Sequence, residues 1–253
     1  MKSKEELLRE FKRQYDFLKL NKFIKVIKSP VRMFIPNFME KIGLTKTVKA
    51  KTFFEEEMFV VLPEIVSRTI FRYGLYEPYL TYVLLHYLDK GMNFIDVGAH
   101  LGYYSLLARK LVGESGEVHC FEPTPSTYSI LIKNLGKYKN IYANNQALWS
   151  ESGKIKIRDY GIVFSAFNSI FSPRLPEGKI NNFQETEIEC LTLDEYVLKK
   201  NIKPNFIKID AESAEFQILK GSIQTINLYK PIISLEVGDY LPDVPKSKEL
   251  ISF

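Results

Sequence analysis

The chain has 253 residues, 45% hydrophobic and 26% charged, with 15 Tyr, 18 Phe and one Trp, a composition that excludes disordered, collagenous and low-complexity proteins and provides for a sizeable core. Its net charge of +5 is uneven: residues 1–51 carry 14 Lys and Arg against 5 Asp and Glu, whereas the remaining 202 carry 21 against 25. A basic segment precedes a mildly acidic body, which argues against nucleic acid as partner and makes residues 1–28 a candidate contact for an anionic membrane surface or another subunit.

In that segment Ser3 and Glu6 have the spacing of a capping box, and Leu8, Phe11, Tyr15 and Leu18 recur at helical intervals between basic residues. They predict a short amphipathic helix. From Pro30 to Pro63 no period is sustained, and the stretch reads as a connector with short strands. Residues 1–62 are therefore expected to form a basic helical segment and connector, and 63–253 the main domain. YEPYLTYVLLHYLDKG predicts a helix with Pro78 in its first turn, Gly91 as its stop, and Tyr79, Val83, His86 and Tyr87 on one helical face, where His86 reads as a packing residue.

Strand-like and helical stretches then alternate. NFIDV, EVHCF, NIYANNQAL, NFIKI and PIISLEV read as strands, with helices over 102–112, 125–136 and 212–220. Such alternation implies crossovers and a parallel, doubly wound α/β sheet covered by helices. Between Gly153 and Leu191 it gives way to KIKIRD, an aromatic-rich loop and ETEIECL, read as added strands over the sheet edge where substrate contacts often lie. Thr192 with Glu195 caps the following helix.

Cys120 and Cys190 lie in apolar runs and read as buried thiols, too few for a disulfide framework or a zinc site. Charges interrupt every apolar run near the N-terminus, and no run reaches the roughly 18 residues of a membrane span. A cytoplasmic location is expected, with peripheral membrane contact through the basic segment.

NFIDVGAHLGYYSLLA carries the most chemistry: a buried strand ending at Asp96, Gly98 and Gly102 around a tight turn, then a helix whose free N–H groups favour a carboxylate or phosphate. It lacks GK[ST], which argues against nucleotide hydrolysis, and its glycine spacing is not G-x-G-x-x-G. The next strand ends at Glu122, where a carboxylate can hold a ribose diol. The third ends near Asn145, Gln146 and Ala147, where an amide and a backbone N–H can read an adenine edge.

At these residues the chain resembles the FkbM-type class I S-adenosylmethionine-dependent methyltransferases. The resemblance rests on FIDVGAHLGYYSLLA, VHCFEPTP, NQALWSESG, LTLDEY and IKIDAESAEFQILKG, in that order. It implies a Rossmann-like fold and S-adenosyl-L-methionine as cofactor. Asp96, Gly98 and His100 would lie near the methionine part, Glu122 on the ribose, and Gln146 with Ala147 near adenine, with Ala99 and Gly102 also among the cofactor-binding residues. Two positions depart from the family pattern: His100 stands where Asn is usual, and AESAE replaces VEGAE, with Ser213 in place of Gly. Relatives continue beyond the fifth strand, so a C-terminally shortened domain is expected.

The expected reaction is methyl transfer to a hydroxyl of a small-molecule, sugar or glycan/lipid-linked acceptor. Asp210, ending NFIKID, and Glu212 are expected to face the transfer centre and to contribute, with His100, the catalytic groups; Asp210 would also touch the cofactor. Asp210 doubles as a candidate N-cap for the helix over 212–220. A Mg site using Asp210, Glu236 and Asp239 is an alternative, but no dedicated metal motif exists and a metal-free site is preferred. A nicotinamide-dependent reductase and a non-catalytic binding module are the rival classes.

Overall fold

The structure is a computed structural model and describes residues 3–170 and 182–237. Ser3 accepts from Glu6 N at 3.2 Å while Glu6 accepts from Ser3 N at 2.7 Å, and this reciprocal cap starts α1 (Lys4–Lys19). Its apolar side is occupied: Leu7 and Phe11 are buried in the main core. Lys4 fastens the helix by donating to the carbonyls of His86 and Leu88 at 2.9 and 3.0 Å and pairing with Asp89 at 2.7 Å.

Asn21 caps α2 (Lys22–Lys28), none of whose residues is buried. A third helix, α3 (Pro30–Lys41), follows with Pro30 in its first turn and Met33, Pro36 and Met39 buried. It corrects the irregular connector expected there. Val31, Phe34 and Phe38 point outward, so apolar residues surround the helix and hide its period, and Pro36 reads as a breaker. The remainder of the stretch is an antiparallel hairpin of β1 (Lys46–Lys51) and β2 (Glu57–Leu62).

Next come α4 (Ile65–Tyr73), capped by Glu64, and α5 (Pro78–Tyr87). The buried residues of α5 are Thr81, Leu84 and Leu85; Val83 also packs against the core, but His86, expected to be a packing residue, does not. Tyr79, His86 and Tyr87 face solvent, with His86 stacked on Tyr82. The helix has two apolar sides, and the core took the aliphatic one because tyrosine and histidine tips keep their water outside.

The α/β body consists of β3 (Phe94–Val97), α6 (Tyr103–Val112), β4 (Val118–Phe121), α7 (Pro125–Leu135), β5 (Ile141–Asn144), β6 (Ala147–Leu148), β7 (Gly153–Asp159), β8 (Gln184–Leu191), α8 (Leu193–Lys200), β9 (Phe206–Ile209), α9 (Glu215–Lys220), α10 (Ile223–Tyr229) and β10 (Ile232–Leu235). The central sheet runs β10-β9-β3-β4-β5 with every pair parallel. Period-two alternation sends Phe94, Val118, Cys120 and Phe206 to a core with α5, α6 and α7, and Ile95, Phe121, Ile207 and Ile209 to one with α8 and α9. The fold is thus Rossmann-like and doubly wound, with helices on both faces and a basic helical segment in front. Residues from before Pro63, including Leu7, Val60 and Val61, share the first core with Leu84 and Phe94.

NIYANNQAL is not one strand: it breaks after Asn144, and Ala147–Leu148 joins a second sheet ordered β6-β8-β7. The helix expected over 212–220 begins only at Glu215, because Glu212 and Ser213 both have positive φ, 48° and 78°. Its N-cap position is Ala214, so Asp210 is not the cap. Cys120 and Cys190 are buried free thiols. Among the described residues no helix is long and apolar enough to cross a membrane.

Candidate active site

The strand order reverses at β3, which pairs with β4 on one side and β9 on the other. Ligands of such sheets bind beyond the carboxyl ends of the strands at that crevice. A cleft of about 1100 Å³, counting its open mouth, lies there. Gly98, with φ of 71°, lets the turn after β3 pass against the end of β9, since a Cβ built on it would collide with the Asp210 carbonyl oxygen.

Gly98, Ala99, His100, Glu122, Gln146, Ala147, Asp210 and Glu212 all line the cleft, whereas Asp96 and Gly102 lie behind the lining. Asp96 is fully buried; one oxygen accepts from the Ser105 hydroxyl at 2.7 Å and the other sits 3.2 Å from Lys208 Nζ. Gly102 is the N-cap of α6, and a Cβ there would press on Leu131 at 2.8 Å.

Glu122 is buried, with one carboxyl oxygen accepting from His100 N at 3.0 Å and the other from Thr124 N at 3.0 Å. Burial outweighs these bonds and pushes its pKa up to about 7. The adjacent Asn145 amide is engaged with the Glu122 and Pro123 carbonyls at 2.9 and 3.0 Å, so of this pair it is Gln146 that lines the cleft. His100 has φ of 50°, and its Nε2 lies 2.8 Å from the Ser165 hydroxyl. Burial lowers its pKa, so the ring is neutral at pH 7.

Lys208 is the residue that the sequence reading passed over. It stands on β9 in register with Asp96 and is 2% exposed. Its ammonium pairs with Asp96 at 3.2 Å and Asp210 at 3.4 Å and donates to the Gly98 carbonyl at 3.1 Å. Burial alone would lower its pKa, but Asp210 and Asp96 outweigh it and hold the group charged. The signal was present: NFIKI carries a lysine inside an otherwise apolar central strand, and a buried lysine requires a partner.

Burial raises the Asp210 pKa, but Lys208 and then a hydrogen bond with Glu236 more than reverse this, and the net shift is downward. Glu236 moves the opposite way, to about 9, through that hydrogen bond and burial, and Glu212 rises to about 8 through burial and then the Asp210 charge. At neutral pH the cluster thus holds one carboxylate beside two predominantly protonated carboxyls. Carboxyl oxygens of Asp210, Glu212 and Glu236 lie within 4.8 Å of one another, a spacing that a hard cation could also bridge. Asp239 lies outside the described residues. The opposite wall combines Val66 and Ile70 of α4, Tyr76, Tyr104 and the 3-10 turn Ile162–Phe167 with Ser165, groups that no local motif announces.

Residues 96–252 match the methyltransferase FkbM domain. The chain is similar to the hexuronic acid methyltransferase AglP of Haloferax volcanii, at 26% identity over 169 residues covering 65% of this chain and 64% of that protein. Over a shorter stretch of 56 residues it is 38% identical to protein-L-isoaspartate O-methyltransferase of Methanococcus maripaludis, covering 21% of this chain and 26% of that one. The chain therefore spans less than two thirds of the length of these curated relatives. Among solved structures, methyltransferase FkbM from Methylobacillus flagellatus KT aligns over 96% of this chain and 50% of that one, at 14% identity and a TM-score of 0.43. With more than half of its residues matching the domain, the chain belongs to the FkbM methyltransferase family.

Proposed function

We propose that the chain is an S-adenosylmethionine-dependent O-methyltransferase whose acceptor is a hydroxyl on a sugar or sugar-linked molecule. The observation that carries the reading is the family match beginning at Asp96, on the strand whose following turn forms the cleft. Glu122 supports a fit to the cofactor: each of its oxygens accepts one backbone N–H, and a carboxylate retains capacity for further donors such as a ribose diol. Gln146 offers an amide for an adenine edge. The sugar class is suggested by the relative named for hexuronic acid.

S-adenosylmethionine, when bound, supplies a methyl group on a sulfonium that leaves as a neutral thioether. The chain's task is then to orient the acceptor and receive one proton. Asp210 is ionised at neutral pH, held so by Lys208. A low-pKa carboxylate is a weak base, but an alcohol oxygen gaining a methyl group becomes strongly acidic, so Asp210 can take its proton as the new O–C bond forms. Neutral His100 is a second acceptor of the same proton, and protonated Glu212 and Glu236 can donate hydrogen bonds to acceptor hydroxyls. Orientation of this kind accounts for about 7–11 kcal/mol of a barrier in general.

Calorimetry with S-adenosylhomocysteine and NAD(P)H side by side tests the cofactor, with binding of the first alone expected; the reverse result overturns the reading. Methyl-labelled donor with a panel of hexoses, hexuronic acids and their glycosides tests the acceptor. An alkali-stable ether product is expected, and an alkali-labile ester would move the acceptor atom from hydroxyl to carboxylate.

A further inference from the structure

We propose that α2 and α3 form a docking face for an anionic lipid surface, a role that α1 does not share. Phe23, Ile27, Val31, Phe34, Phe38 and Ile42 are each 53–72% exposed. Spacing of three or four residues aligns Phe23 with Ile27 on α2, and Val31 with Phe34 and Phe38 on α3, with Ile42 at the C-cap of α3, while Met33, Pro36 and Met39 on the other side of α3 are buried. Soluble proteins rarely leave so many large apolar side chains of neighbouring helices in water, and a group of them rimmed by polar residues marks an interaction surface.

Charge identifies the occupant. Lys19, Lys22, Lys25, Lys28, Arg32 and Lys41 share this stretch with a single acid, Glu40, and Glu40 is paired with Arg68 at 2.9 Å. Apolar side chains beside a lysine-rich rim are the pattern of a helix lying in the lipid interface, with rings below the headgroups and ammonium groups among their phosphates. A second copy of the chain would bring the same excess of positive charge against itself. In α1, by contrast, Leu7 and Phe11 are buried and Lys4 is bonded to the end of α5. The face is also coupled to the cleft, because α3 packs on α4 and α4 contributes Val66 and Ile70 to the cleft wall.

The test is co-sedimentation of the full chain with vesicles of phosphatidylcholine, with and without a minority of phosphatidylglycerol. Binding is expected to the anionic vesicles at low salt, weakening as salt screens the rim. Phe34→Glu/Phe38→Glu should lower partition roughly a hundred-fold or more, Lys22→Glu/Lys28→Glu roughly ten-fold or more, and Arg9→Glu/Lys12→Glu on α1 should leave it unchanged. Thermal unfolding like that of the parent shows that the variants fold, and Phe23→Glu/Ile27→Glu provides a second apolar pair. Indifference to anionic vesicles at low salt overturns the proposal, as does loss of binding through the α1 pair alone. So does a lipid-free dimer, measured by light scattering, that the Phe34→Glu/Phe38→Glu variant dissociates.

Discussion

Lysines meet acids across strands both at the exposed β7–β8 pair and at the buried β3–β9 pair, with opposite consequences. On β7 and β8, Lys154 pairs with Glu187 at 2.8 Å and Lys156 with Glu185 at 3.0 Å, all four side chains more than half exposed. On β3 and β9, Lys208 pairs with Asp96 at 3.2 Å while the two are 2% and 0% exposed. Water screens the first ladder, so its members are interchangeable decoration. In the second no water replaces a lost partner, and the same chemistry becomes a fixed framework behind the cleft.

Breaking the buried side should give the largest effect. Lys208→Met retains the stem but leaves Asp96 uncompensated, and removing one partner of a buried pair costs about 3–5 kcal/mol. Urea unfolding of the variant should show a loss of that size. Adding Asp96→Asn, which preserves an acceptor for Ser105, should recover part of it. A single variant as stable as the parent would mean that the pair is solvated and that the contrast with β7 and β8 is false.

The same contrast explains what the sequence discloses. Asp96, Gly98 and Glu122 are legible because each belongs to a contiguous strand-turn stretch whose chemistry is local. Lys208 is only two residues from Asp210, yet its meaning depends on Asp96, its register partner from a distant segment. Pairing across a parallel sheet is not written locally. The α3 helix was hidden for another reason: its outward apolar residues obscure the period that identifies a helix with one buried side. Ser213 was legible as a departure from the family pattern, and its φ of 78° is the conformation a glycine would take freely.

Glu122 sharpens the comparison as a buried acid held chiefly by backbone N–H groups rather than by a paired cation. Glu122→Ala should weaken S-adenosylhomocysteine binding by about 1.5–3 kcal/mol, the worth of hydrogen bonds to a charged group. Its pKa of about 7 adds a pH signature. Below that value the free protein holds the proton, and a diol that donates to the carboxylate must displace it, so affinity should fall as pH drops from 8 to 6. Titration calorimetry across that range checks the sign; a flat profile would remove the ribose assignment, and Glu122→Gln should abolish the slope.

A smaller effect is expected at Ser213. Holding a non-glycine residue at positive φ costs about 1–3 kcal/mol, and glycine returns roughly 0.5–1 kcal/mol of this through its greater freedom when unfolded. Ser213→Gly should therefore stabilise the protein by about 1 kcal/mol, seen as a raised thermal midpoint. An unchanged or lowered midpoint would show that the serine side chain contributes something the backbone angle conceals.

The smallest effect belongs to the exposed ladder. Lys154 has its pKa raised and Glu187 has its pKa lowered, each by its hydrogen bond to the other. The raised lysine contributes stability that is full below its unfolded pKa and lost as pH rises through the folded value. The lowered glutamate contributes stability that is full above its unfolded pKa and lost as pH falls through the folded one. Both contributions coexist only on the neutral plateau between these limits, where salt screens the pair. Lys154→Ala should shift the urea midpoint only marginally at neutral pH, and high salt should erase that shift, while leaving the Lys208→Met loss largely in place. If salt diminished both losses equally, burial would not be what separates the two regions, and the framework assigned to β3 and β9 would have to come from elsewhere in the cleft.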